Sequence, residues 1–125
     1  MPERRRRNRL PWVSMNARVK VRKGLLGSEW IDAEVVDFSK LGMGVVLDRE
    51  ADQDKKIQVS LRLDTEVGEI TVDQVGAFVR HVQAHDRGTF LGLEFEEEPK
   101  RGVADALKRI EGILERHQSL SDRLT

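Results

Sequence analysis

The chain has 125 residues, of which 38% are hydrophobic and 35% are charged, a composition typical of one soluble globular domain. It contains no cysteine, which excludes disulfides, thiolate zinc sites and cysteine nucleophiles. Its sequence has no apolar run near the roughly 18 residues that span a bilayer and no apolar signal-peptide core, so we expect a cytoplasmic protein without a transmembrane segment.

The formal net charge is zero, but the charges are segregated along the chain. Residues 1–27 carry nine Lys or Arg against one Glu, whereas residues 28–99 carry seven against seventeen acidic residues. A basic arm on an acidic body predicts an anionic partner for the arm, or docking of the arm onto the body.

Hydrophobic periodicity predicts six strands. Residues 13–21 alternate strictly between apolar and polar side chains, which is the period of a half-buried strand. Alternation or short apolar runs between turn residues predict five more strands, at residues 30–38, 43–47, 57–63, 70–82 and 89–95. Gly76, in the middle of the fifth strand, predicts a bulge or a sharp bend. Six strands at such short spacing favour a small closed barrel.

The pattern becomes helical after Pro99. Apolar residues then recur every three or four positions as far as Leu114, which predicts an amphipathic helix over residues 99–118 with Pro99 in its first turn. The predicted organisation is one domain over residues 1–118, made of a flexible basic arm (1–12), a barrel (13–98) and the helix (99–118). Residues 119–125 are predicted to be a flexible tail.

Two clusters about thirty residues apart carry the candidate chemistry. The first is the arginine-rich arm before the first strand, with Arg4, Arg5 and Arg9. The second is a DxSxxG turn between the second and third strands, with Asp37, Ser39 and Gly42.

Together the two clusters predict a site for a guanine-bearing phosphodiester. Guanidinium groups bind phosphate oxygens and the O6/N7 edge of guanine in bidentate fashion. The Asp37 carboxylate can accept from the N1 and exocyclic amine hydrogens of guanine. The Ser39 hydroxyl can bond to the backbone or to the ligand, and Gly42 permits a positive φ or a close backbone approach.

These motifs resemble those of the PilZ domain family. The resemblance rests on RxxxR just before the first strand, DxSxxG between the second and third strands, a late strand at residues 91–95 and a C-terminal helix, and it covers residues 4–114. It implies a six-stranded antiparallel PilZ-type β-barrel. It also implies a bacterial, non-catalytic receptor whose ligand is cyclic di-GMP, with no other cofactor and no metal.

The site residues of the family can be transferred position by position. Arg5 and Arg9 match the RxxxR motif, and the DxSxxG motif is matched without departure by Asp37, Ser39 and Gly42. Arg4 lies immediately before the first motif, where an arginine resembles family members that bind an intercalated ligand dimer. The resemblance therefore implies two ligand molecules per chain.

Because the arginines precede the first strand, we expect the ligand to order the arm on the barrel and to alter a surface for an unidentified downstream protein. Two alternatives remain open, a nucleic-acid-binding module and a ligand-independent PilZ-like interaction scaffold. The acidic body and the low aromatic content of 5% disfavour the first, and the intact motifs disfavour the second.

Two further positions bear on the predicted site. Gly92 alternates with inward residues and predicts a place where a bulky side chain is excluded. Phe78 is interpreted as a packing residue, with a stacking surface for a purine as the alternative.

Overall fold

Six antiparallel strands form one closed barrel with the strand order β1-β2-β3-β6-β5-β4, and β1 also pairs with β4. The computed structural model describes the backbone of residues 13–124 and the side chains of residues 13–22 and 24–118. The strands are β1 Val13–Lys23, β2 Gly27–Ser39, β3 Gly42–Leu47, β4 Lys56–Thr65, β5 Gly68–His85 and β6 Gly88–Phe95, and the helix is α1 Arg101–Leu124. The predicted fold class is confirmed.

The core fills the barrel and extends to the helix. Apolar side chains that alternate along the strands point inward, among them Val19, Leu63 and Leu91, which are at most 1% exposed. Leu107 and Ile110 of α1 belong to the same buried cluster, so the helix completes the core. Neither α1 nor any other described part of the chain forms a helix long and apolar enough to cross a membrane.

The helix differs from its prediction at both ends. It begins at Arg101, so Pro99 precedes the first turn instead of lying in it. It continues to Leu124, so the residues predicted as a flexible tail are helical up to that point. No glycine or proline follows Gly112, and nothing in the local sequence therefore stops the helix earlier. The basic arm, residues 1–12, lies outside the described residues.

Gly76 lies near a bulge, and a close approach of two side chains explains why this position is a glycine. The register between β4 and β5 shifts at Ser60, opposite residues 73–74, two positions before Gly76. The Gly76 N–H donates to Glu96 Oε2 at 2.7 Å, and the Glu96 N–H donates to the Gly76 carbonyl at 3.0 Å. A Cβ at Gly76 would lie 2.5 Å from Glu96 Oε2 and 2.5 Å from Cε of Lys56. The glycine thus lets the segment before α1 bond to β5.

We expect Gly76→Ala to lower the free energy of unfolding by about 1–3 kcal/mol, because the new methyl group must displace Glu96 and leave a part-buried N–H without its acceptor. Urea unfolding measures this change. Gly102→Ala is the matched control, since a Cβ there meets nothing within 4 Å. Equal stability of the two variants would contradict the role given to Gly76.

Candidate functional site

The DxSxxG turn is a tight hairpin loop tied to two other elements. The Ser39 hydroxyl oxygen accepts from the N–H of Leu41 at 3.1 Å, as in a turn closed by a serine side chain. The N–H of Lys40 donates to Glu111 Oε2 of α1 at 2.8 Å. The Leu41 carbonyl accepts from the N–H of Phe95 at 2.9 Å, at the end of β6. The turn is therefore held against both the barrel and the helix.

Gly42 is required by a close backbone approach. It pairs with Ser39 on one side and with Glu94 on the other. A Cβ at Gly42 would run into the carbonyl group of Leu93. Its φ is not positive, so of the two reasons predicted for this glycine only the close approach is correct.

Asp37 points outward because of a β-bulge. Val35 pairs with Val45 and Asp37 with Gly44, so Val36 is an extra residue in β2. In a regular strand without a bulge, strict alternation would place Asp37 on the same face as Val35. The N–H of Gly44 donates to Asp37 Oδ1 at 2.9 Å, which holds the carboxylate in place. Oδ2 keeps its lone pairs as acceptors for a ligand.

A row of paired residues crosses four strands beside the turn. Asp37 pairs with Gly44, Gly44 with Gly92, and Gly92 with His81. At the far end, a register shift between β5 and β6 leaves Arg80 as an extra residue in β5 and turns His81 outward. The row therefore has polar side chains at its ends and two glycines in its middle.

A shallow depression of about 560 Å³ on the outer barrel surface includes most of this row. Asp37, Ser39 and Gly42 all line it, so the structure brings the three described site predictions together. Arg4, Arg5 and Arg9 lie outside the described residues.

The depression has an acidic balance. Among the described residues that line it, the charged ones are Asp37, Arg80 and Glu94. Arg80 donates to Glu94 Oε1 through both Nε, at 3.1 Å, and Nη2, at 3.0 Å, and much of its charge is thereby compensated. The guanidinium carbon also lies 4.9 Å from the ring centroid of Phe78. This part of the surface offers little positive charge to an anion.

The sequence matches the model of the PilZ domain family over residues 3–111. The chain belongs to the PilZ domain family. Among solved structures, this PilZ domain is similar to the crystal structure of YcgR in complex with c-di-GMP from Escherichia coli, with a TM-score of 0.58 and 18% sequence identity. The similarity covers 94% of this chain and 50% of the other, so the chain spans half the length of that protein, and at this identity it shows the fold. No curated protein matches the chain significantly.

The lining residues of this PilZ domain that were absent from the predicted site include four that bear on ligand binding, namely Gly44, Arg80, Phe90 and Glu94. Three of them had a usable signal, because strand alternation puts Gly44 on the face of Gly42, and Phe90 and Glu94 on the face of Gly92. For Arg80, alternation from the buried Val79 gives the outward direction, but its place beside the row depends on the register between β5 and β6. Phe78 does not line the depression, and its ring is in cation–π contact with the Arg80 guanidinium.

We expect Glu111→Ala to speed amide hydrogen exchange at Lys40 about fivefold, corresponding to loss of about 1 kcal/mol of local hydrogen bonding. NMR-detected exchange measures this rate. Glu115→Ala, one turn later on α1, is the matched control and should leave the rate unchanged. An identical Lys40 rate in both variants would show that α1 does not hold the turn.

Proposed function

We propose that this PilZ domain is a cytoplasmic, non-catalytic receptor for cyclic di-GMP. The observation that carries the proposal is the convergence of Asp37, Ser39 and Gly42 on one surface depression. The similar YcgR structure contains c-di-GMP, which supports the choice of ligand. The complete proposed site is formed by Arg4, Arg5, Arg9, Asp37, Ser39 and Gly42.

In this proposal, Asp37 recognises guanine. Its Oδ1 is occupied by the Gly44 N–H, so Oδ2 accepts from the N1 and exocyclic amine hydrogens of the base. Adenine has no N1 hydrogen and would place a nitrogen lone pair against the carboxylate. The rigid hairpin keeps this acceptor in position before the ligand arrives, which reduces the ordering cost of binding.

The phosphates require the arginine arm. The described lining has two carboxylates against one guanidinium, so it cannot neutralise two phosphates. The start of β1 and the end of β2 lie at the same end of the barrel, because the two strands are antiparallel neighbours. A chain spans at most about 3.3–3.6 Å per residue, so Arg9 is within about 14 Å of Val13 and Arg5 within about 29 Å. Both arginines can therefore reach the turn.

Signalling in this scheme needs no catalysis. Binding gathers the arm onto the barrel, where its guanidinium groups change the charge of an acidic surface. The altered surface is then presented to a downstream protein. Arg4 supports a stoichiometry of two ligand molecules per chain, because a further guanidinium is available to a second guanine or phosphate.

We expect Arg5→Ala, Arg9→Ala and Asp37→Ala each to weaken cyclic di-GMP binding at least about tenfold, since each removes a charged or bidentate contact. Isothermal titration calorimetry measures the affinities, and far-UV circular dichroism should stay unchanged. Arg7→Ala is the matched control within the same arm, with an expected change below about threefold. Cyclic di-AMP should not bind.

Unchanged affinity in all three variants would exclude the assigned site. If the unmodified chain instead binds single-stranded RNA with a steep salt dependence and ignores cyclic di-GMP, it is a nucleic-acid-binding module. If it binds neither, a ligand-independent interaction scaffold is the remaining function.

We expect Arg4→Leu to reduce the calorimetric stoichiometry from two ligands per chain to one. A leucine cannot contact a second phosphate or guanine edge, but it leaves Arg5 and Arg9 unchanged. Analytical ultracentrifugation of the complex provides an independent check that the ratio is per chain. A ratio of one in the unmodified protein would refute the two-ligand proposal.

A further inference from the structure

The ring of Phe90 lies over two glycines on the outer face of the barrel. A Cβ at Gly44 would be 2.9 Å from Cε1 and 3.0 Å from Cζ of Phe90. A Cβ at Gly92 would be 3.9 Å from Cε2 of the same ring. The ring therefore occupies space that a side chain at Gly44 would fill. At Gly92 the ring would be at ordinary van der Waals distance, and the tightest neighbour of a Cβ there is His81 Cβ, at 3.1 Å.

Two groups of different chemistry border this ring. The ring of His81 stands at 68° to that of Phe90, with 6.2 Å between the centroids. On the other side, Asp37 Oδ2 is 3.1 Å from the same Cβ position at Gly44 that the Phe90 ring approaches. An aromatic ring thus lies beside a fixed carboxylate, within the depression described above.

We propose that Phe90 is the platform on which a guanine base of the ligand stacks, and that Gly44 is a positioning residue that keeps the platform flat. A planar base that stacks on Phe90 directs its edge toward Asp37, whose carboxylate accepts from donors on that edge. Among the common bases, guanine has two adjacent donors there. The identity of the complete ligand rests on the function proposed above, but the platform itself requires only a guanine base.

Within this one site, stacking and hydrogen bonding to the base would come from different residues. Asp37 would select guanine through donors, whereas Phe90 would supply affinity for any planar base. Gly44 would act mainly through Phe90, because the two atoms nearest to its Cβ position are carbons of that ring, at 2.9 and 3.0 Å. Asp37 Oδ2 follows at 3.1 Å, so a side chain at position 44 would crowd the carboxylate as well.

Phe90→Leu and Phe90→Tyr test the platform together. Leucine keeps an apolar side chain over the glycines but has no aromatic face, so cyclic di-GMP should bind about tenfold more weakly. Tyrosine keeps the face, so affinity should stay within about twofold of the unmodified chain. Trp30→Leu, which removes an exposed aromatic residue near the other end of β2, is the matched control and should leave affinity unchanged. Thermal unfolding confirms that each variant folds.

Gly44→Ala tests the positioning role through a double-mutant cycle. Alone, it should weaken binding about tenfold, because the methyl group lifts the Phe90 ring from its position. In combination with Phe90→Leu it should add clearly less than its own tenfold, because the platform is already lost and only the crowding of Asp37 Oδ2 remains. Fully additive losses would show that Gly44 does not act through Phe90.

Binding by the unmodified chain and by Phe90→Leu distinguishes the stacking platform from the receptor function. If the unmodified chain binds cyclic di-GMP and Phe90→Leu binds equally well, the platform is refuted and the receptor function stands. If the unmodified chain does not bind cyclic di-GMP, 5′-GMP is titrated while the Phe90 ring and the Gly44 and Gly92 amides are followed by NMR. Upfield shifts of the ring signals that are clearly larger with 5′-GMP than with 5′-AMP would support a guanine platform without the dinucleotide. No shifts, or equal shifts with both nucleotides, would overturn it.

Discussion

The register of β3 between β2 and β6 determines the geometry of the candidate site. β3 has buried residues on both of its faces, from Met43 to Leu47, and it pairs with β6 along its whole length and with β2 from Gly42 to Val46. This pairing puts Gly44 between Asp37 and Gly92. The Asp37 carboxylate and the Phe90 ring therefore both lie next to Gly44. A slip of one residue would turn Gly44 inward and remove the space that Phe90 occupies, so the site depends on one strand alignment.

The barrel and the arm divide the proposed ligand chemistry between them. On the barrel surface, Asp37 is the proposed acceptor for guanine and is fixed by the Gly44 amide, but the described lining is acidic in balance. Positive charge is concentrated in the arm. A ligand with both a base and phosphates is therefore the kind of molecule that joins the two parts. In the proposed mechanism this division couples binding to a change of surface charge.

The hairpin of the candidate site is also in contact with the C-terminal helix. One hydrogen bond joins the Lys40 amide to Glu111, while Leu107 and Ile110 anchor the same helix in the core. At the other end of the connection, Glu96 is bonded to Gly76 on β5. The DxSxxG turn, β5 and α1 are thus joined by hydrogen bonds and by the shared core, so a displacement of the turn would disturb its hydrogen bond to α1.

The sequence by itself determined the six strands, the following helix and the DxSxxG cluster, because alternation, helical spacing and turn chemistry are local properties of the chain. It also placed Gly92 at a crowded position. The tertiary structure decided the outward direction of Asp37 and His81, because each follows a bulge that reverses the alternation counted from Val35 or Val79. It likewise decided that Phe90 covers Gly44, a contact between different strands. Bulges and cross-strand contacts depend on pairing partners, which no local pattern specifies.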